Sequence, residues 1–230
     1  MKVGRRMTRP VQTIEREASL RRARRIMDNN RIRHLPVVEK DRLVGLITDR
    51  DFRAAALSSA ADIPPADRQE FLDHVKVGQV MSKEVHTATP ETTVEEAAFL
   101  MQQYKIGCLP VLEGGRLVGI ITETDIFRVF MEVVGVRGPG ARLEIPFAPR
   151  PGYVPEIAAI VDGQGARLMS LLTVPGGEED TVLILRVDGA DPASLCRALQ
   201  QAGIPVLSVR HPLSAGEQGE AGTAKGARQQ

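Results

Sequence analysis

The chain has 230 residues, 43% hydrophobic and 26% charged, with a formal net charge of +1. Those fractions are typical of a globular protein and exclude wholesale disorder or a collagen-like repeat. With no apolar run near the roughly 20 residues of a spanning helix, no secretion-type apolar segment after the basic residues 1–10, and only Cys108 and Cys196 as thiols, a cytoplasmic protein with no membrane attachment and reduced cysteines is expected.

The first half repeats itself. Sliding the sequence by 74 residues aligns 2–51 with 76–125 without a gap, and 21 of those 50 pairs are identical. Lys2-Val3-Gly4 meets Lys76-Val77-Gly78, Leu35-Pro36-Val37 meets Leu109-Pro110-Val111, and Arg42-Leu43-Val44-Gly45 meets Arg116-Leu117-Val118-Gly119. Chance does not produce this, and the segment reads as a tandem duplication.

Each copy predicts a β-α-β-β-α unit. Residues 11–14 and 85–88 read as short extended pieces rich in β-branched side chains. A helix follows, with Leu20, Ala23, Ile26 and Met27 at helical spacing, matched by Val94, Ala97, Leu100 and Met101. Strands over 35–38 and 43–47 are joined by a tight turn at Lys40-Asp41, which becomes Gly114-Gly115 in the second copy. A second helix begins near Asp49 and Glu123. A unit of about 50 residues buries too little core to stand alone, so the two copies should pack as one domain.

Beyond Met131 the pattern changes. Residues 131–140 are Gly- and Pro-rich and read as a linker, since no Lys-Ser/Thr follows to make a phosphate loop. A strand over 141–147, a turn at Pro151-Gly152, a helix over 153–161, strands over 168–174 and 181–187, a helix over 192–202 capped by Asp191 and a strand over 204–209 complete a β-α-β-β-α-β order, the ferredoxin-like arrangement. Residues 213–230 are rich in Gly, Ala and Gln and are expected to be a disordered tail.

The sharpest local feature is Gly45-Leu-Ile-Thr-Asp-Arg-Asp51, echoed by Gly119-Ile-Ile-Thr-Glu-Thr-Asp125. Both set a Thr at a strand end and an Asp three residues on, in the first turn of a helix. Ser/Thr-x-x-acid is a helix-capping arrangement in its own right. It can also cradle a ligand: free N–H groups and a hydroxyl suit a phosphate, and a carboxylate accepts both hydroxyls of a ribose.

With these motifs occurring twice, residues 1–130 resemble a CBS-domain pair, or Bateman module, with repeats over about 2–60 and 76–130. The resemblance implies clefts that bind adenosine-containing ligands: AMP, ADP, ATP, S-adenosylmethionine or NADH. It implies that Asp51 and Asp125 contact ribose and that Thr48 and Thr122 lie near ribose or phosphate. Arg33, His34 and Arg50 would then hold phosphate, and Pro36, Val11 and Val85 complete the implied nucleotide-binding set. Copy two has Gly107 and Cys108 where copy one has Arg33 and His34, so the clefts are expected to be unequal.

Residues 141–212 resemble an ACT domain, a regulatory module that often binds amino acids at subunit interfaces. Two departures stand out: Pro149-Arg150 replaces an acid ahead of the Pro-Gly turn, and Arg167 replaces the Asn that often opens the second strand. These count against amino-acid binding and leave dimerisation as at least an equal expectation. The whole order is similar to the acetoin-utilisation accessory protein family, which implies a non-catalytic regulatory homodimer with no required cofactor.

Other classes fit less well. The four histidines, at 34, 74, 86 and 211, form no metal-ligand spacing, and Gly-x-Ser-x-Gly is absent, which argues against an enzyme. Residues 1–53 hold 15 Lys and Arg against 7 Asp and Glu, with Arg21, Arg22, Arg24 and Arg25 on one helix. Such a patch attracts phosphate backbones. With 3% aromatic residues and no helix-turn-helix pattern, nucleic-acid association or a purely structural dimerisation role remains the alternative. The equivalents of Arg21 and Arg22 are Glu95 and Glu96, a polarity that favours head-to-tail pairing of two modules.

Overall fold

The computed structural model of the chain describes residues 1–59, 72–135, 140–175 and 181–210. They form two compact units that divide between Phe127 and Arg128. Among the described residues, no helix is long and apolar enough to cross a membrane.

In the first unit, each repeat is built on a hairpin beside a helix. Helix α1 spans Leu20–Asn30; the Ser19 hydroxyl accepts from the Arg22 N–H, and Leu20, Ala23 and Met27 are buried. Strands β2 (His34–Glu39) and β3 (Arg42–Thr48) pair antiparallel, with a register shift between Val37 and Val38. Strand β1 covers only Ile14–Glu15 and lies parallel to β2, so the sheet order is β1-β2-β3. Helix α2 spans Asp49–Ser59.

After the short helix α3 (Val77–Val80), the second repeat follows the same plan. Helix α4 (Val94–Tyr104) carries a reciprocal cap between Thr93 and Glu96. Strands β4 (Cys108–Glu113) and β5 (Arg116–Thr122) have their register shift at the equivalent place, between Val111 and Leu112. Helix α5 spans Glu123–Val134, so the stretch expected to be a linker from 131 begins as helix. Residues 136–139 of that stretch lie outside the described residues, as do residue 60 at the end of the first repeat and the expected tail at 213–230.

The extended pieces expected at 11–14 and 85–88 are shorter than the sequence suggests. In the first copy only Ile14 and Glu15 pair, and in the second the strand is reduced to Ala88 bridging Val111. The chain is changing partners there. Thr8 pairs with Ile120 of the second repeat and Ile14 with Val37 of the first, so the residues between them cross from one repeat to the other. Ser82 on Leu46 and Ala88 on Val111 make the mirror-image crossing.

This exchange runs along both entering segments. Val3 donates to the Thr92 carbonyl at 2.8 Å and Val77 to that of Ala18 at 2.9 Å; Gly4 donates to Pro90 and Gly78 to Arg16, each at 2.9 Å. Every bond has a counterpart displaced by 74 residues at both ends, which defines a pseudo-two-fold relation between the repeats. Val77 and Met81 accordingly sit in the core of repeat one with Leu20, Met27, Leu35 and Ile47. The close approach explains the glycine of Arg-Leu-Val-Gly. A Cβ on Gly45 would lie 2.5 Å from Met81 Sδ and 2.9 Å from the Ser82 carbonyl oxygen, and one on Gly119 would strike Met7.

The second unit is an antiparallel four-stranded sheet in the order β7-β8-β6-β9, formed by β6 (Ala141–Pro146), β7 (Arg167–Pro175), β8 (Thr181–Asp188) and β9 (Ser208–Arg210). Helices α6 (Tyr153–Gly163) and α7 (Pro192–Gln201) complete a β-α-β-β-α-β order with the ferredoxin-like strand arrangement. Asp191 caps α7 by accepting from the Ser194 N–H at 3.0 Å, with Pro192 in the first turn. Leu143, Ile145, Ile157, Leu183, Leu185, Leu195 and Leu199 fill the core. The last strand is shorter than expected because Ile204 turns into that core before the chain reaches the sheet edge at Ser208. Residues 176–177 of the turn expected between β7 and β8 lie outside the described residues.

Candidate functional site

The Thr-x-x-Asp motifs have the same geometry in both repeats. Thr48 ends β3 and precedes the first residue of α2, and both its N–H and its hydroxyl donate to Asp51 Oδ2, each at 2.7 Å. Thr122 does the same towards Asp125 Oδ2, at 3.0 and 2.7 Å. The helix start is tied to the opposite end of the hairpin, where Asp49 N–H donates to the Arg33 carbonyl and Glu123 N–H to that of Gly107. The two pairs differ in access. Asp51 is half-buried, whereas Asp125 is 4% exposed.

A cleft of about 690 Å³ opens at the first pair. One wall comes from repeat one: Arg33, His34, Thr48, Arg50 and Asp51. The other comes from repeat two, through Glu84, Val85 and His86 of the crossing segment and through Lys105, Gly107 and Glu123. Of the ten residues singled out from the sequence, Arg33, His34, Thr48, Arg50, Asp51 and Val85 therefore share one cleft. Thr122, Asp125, Pro36 and Val11 do not line it. Thr122 and Asp125 belong to the other repeat's helix start, Pro36 is buried in β2 opposite Leu46, and Val11 lies in the other crossing segment.

His34 lies on the seam between the repeats. A Cβ at Gly107 would stand 2.8 Å from its Nε2, so the imidazole fills the space that a side chain at 107 would need. Burial pushes its pKa below the ordinary histidine value, the Arg33 charge adds to that, and Glu123 and Asp49 pull the other way. Its counterpart Cys108 is 2% exposed, and burial, reinforced by Glu123, pushes the thiol up to about 12. That thiol is no nucleophile at neutral pH. At the rim, the rings of His86 and Tyr104 stack with centroids 3.7 Å apart and planes at 19°. Among the described residues, no group of three His, Cys, Asp or Glu could hold a metal ion.

Within one repeat, spacing exposes only half of such a cleft. Glu84, His86, Lys105 and Glu123 come from the other copy, and the signal that could have found them is the 74-residue register combined with the exchange of entering segments.

The family model for the CBS domain matches residues 3–58 and again 77–132. A CBS domain-containing protein of Dictyostelium discoideum is 37% identical over 130 residues, covering 56% of this chain and 90% of that protein. The chain belongs to the CBS-domain family. Among solved structures, this CBS-domain protein is similar to a Vibrio cholerae protein assigned to acetoin utilization (AcuB), at 33% identity and a TM-score of 0.51, over 59% of this chain and 94% of that one. An inosine-5'-monophosphate dehydrogenase of Korarchaeum cryptofilum is 34% identical over 144 residues, which is 62% of this CBS-domain protein but 27% of the enzyme. The likeness leaves most of that enzyme unmatched and carries no activity across.

Proposed function

We propose that the chain is a non-catalytic regulatory protein that binds an adenine nucleotide in the cleft of its CBS pair. The observation that carries this reading is the cleft itself, whose volume lies in the range of small-molecule sites and which brings three kinds of group to one place. The α2 N-terminus supplies N–H groups for a phosphate. Asp51 has an oxygen, Oδ1, that neither Thr48 donor engages, suited to a ribose diol. Arg33 and Arg50 supply positive charge. Membership of the CBS-domain family supports the adenosyl part of the reading.

Occupancy would alter how the repeats pack across the cleft, since both contribute walls. It can bias the protein only as far as ligand prefers one packing over another. In this proposal the chain is a cytoplasmic homodimer, and the second unit is an ACT-like module that serves pairing rather than amino-acid capture. In favour of the latter, both basic residues that depart from the ACT pattern are engaged locally: Arg150 pairs with Glu156, and Arg167 with Asp188 at 2.9 Å.

The test is calorimetric titration with AMP, ATP, S-adenosylmethionine and NADH on the wild type, Asp51→Ala and Asp125→Ala. The expected result is a dissociation constant near micromolar, about −8 kcal/mol, lost in Asp51→Ala and kept in Asp125→Ala. No heat and no thermal shift with any of the four ligands would remove the sensor role.

A further inference from the structure

We infer that the cleft of repeat one takes a nucleoside polyphosphate, one per chain, and that the equivalent surface of repeat two takes none. This rests on the nucleotide reading above and adds the charge and number of the ligand.

Three exposed cations line the cleft without an ion-pair partner among the described residues: Arg33, Arg50 and Lys105. They come from three different elements, the loop before β2, the first turn of α2 and the end of α4 in the other repeat. Cations spread over three elements and both walls suit a chain of phosphates better than a single one, which two neighbouring donors would satisfy. Arg24 and Arg53 also line the cleft but are already held, Arg24 by Asp28 and Asp49 and Arg53 by the Asp49 carbonyl. With these five bases against Asp49, Asp51, Glu84 and Glu123, the basic charge is in excess.

The pseudo-two-fold relation allows a position-by-position comparison. Arg24, Arg33, Arg50 and Arg53 become Ala98, Gly107, Thr124 and Phe127 in the second repeat, and only Lys105 has a basic counterpart, Arg31. The structure turns Arg33, the counterpart of Gly107, into the first cleft. With Asp49 and Glu123 also lining the first cleft, the second set keeps one base, Arg31, beside one acid, Asp125, so the excess of basic charge is absent there. Its diol acceptor, Asp125, is 4% exposed. A polyanionic ligand is therefore attracted on one side and has no such attraction on the other.

Lys105 provides a clean probe. It is the C-cap of α4 in the left-handed region, at φ 54°, where glycine is the preferred residue. Lys105→Gly therefore removes the ammonium without weakening the helix end. Full-length protein is titrated with adenosine, AMP, ADP and ATP at low and moderate salt, as wild type, Lys105→Gly and Arg50→Ser. Affinity is expected to climb at least tenfold from AMP to ATP, at one ATP per chain, with that gain shrinking in salt. Each variant is expected to weaken ATP several-fold while leaving adenosine unchanged. Equal affinity for AMP and ATP, or two ATP per chain, overturns this inference and leaves the nucleotide reading in place. Silence with all four compounds overturns both.

Discussion

His34 shows how a duplicated position acquires a new property. Burial lowers its pKa, with Arg33 acting in the same direction, so the folded protein keeps the imidazole neutral at a pH where the unfolded chain binds a proton. The sign follows from linkage: where the unfolded state holds more protons, stability rises with pH. Stability is therefore lost as pH falls through the ordinary histidine value of about 6.5 towards the lower folded value. His34→Gln should flatten that part of the profile, read as a smaller drop in Tm between pH 7.5 and 5.5 than in the wild type. An unchanged drop would place the pH sensitivity elsewhere. The neighbouring Gly107 is bound to this arrangement, since a Cβ there meets Nε2 at 2.8 Å. The sequence suggested that Gly107 marks a missing phosphate ligand; the structure adds that glycine makes room for the imidazole of the other repeat. No spacing rule within one copy could reveal that, because the two residues meet only after the repeats pack.

The two hairpins form a matched experiment already present in the chain. Both two-residue turns hold positive φ at each central position: 47° and 63° at Lys40 and Asp41, 56° and 78° at Gly114 and Gly115. Only glycine adopts that conformation without a steric cost, which is on the order of 1 kcal/mol per ordinary L-residue. Nothing lies within 4 Å of a Cβ built on Gly114 or Gly115, so backbone conformation alone separates the two turns. Lys40→Asn with Asp41→Gly should stabilise the protein by about 1 kcal/mol, and Gly114→Lys with Gly115→Asp should destabilise it by a similar amount. Chemical denaturation of both variants reads the difference directly. The hairpins and helices were the most legible part of the sequence, because turn residues and helical spacing act locally. Strand β1 was less so: β-branched residues at 11–14 promise a strand, but the chain spends that stretch passing between repeats.

The exchange of entering segments builds the core of repeat one from residues of both copies. Val77 belongs by sequence to repeat two, yet it is fully buried among Ile14, Leu20, Leu35 and Ile47 of repeat one. Its backbone N–H donates to Ala18, and its mirror image Val3 is equally buried and donates to Thr92. The duplication was visible as identities 74 residues apart, but identity does not say whether each copy closes on itself or on its partner. That depends on which pairing hides Val3 and Val77 from water. A substitution at Val77 should therefore report in the wrong half of the sequence. Val77→Ala removes two methyl groups from a packed interior and should cost roughly 1.5–3 kcal/mol. In native-state hydrogen exchange, protection should fall first in β2 and β3, with β4 and β5 less affected, whereas Val3→Ala should give the opposite pattern. Loss confined to β4 and β5 in Val77→Ala would mean that each repeat closes on its own segment. The nucleotide cleft, with walls taken from both copies, would then lose its structural basis.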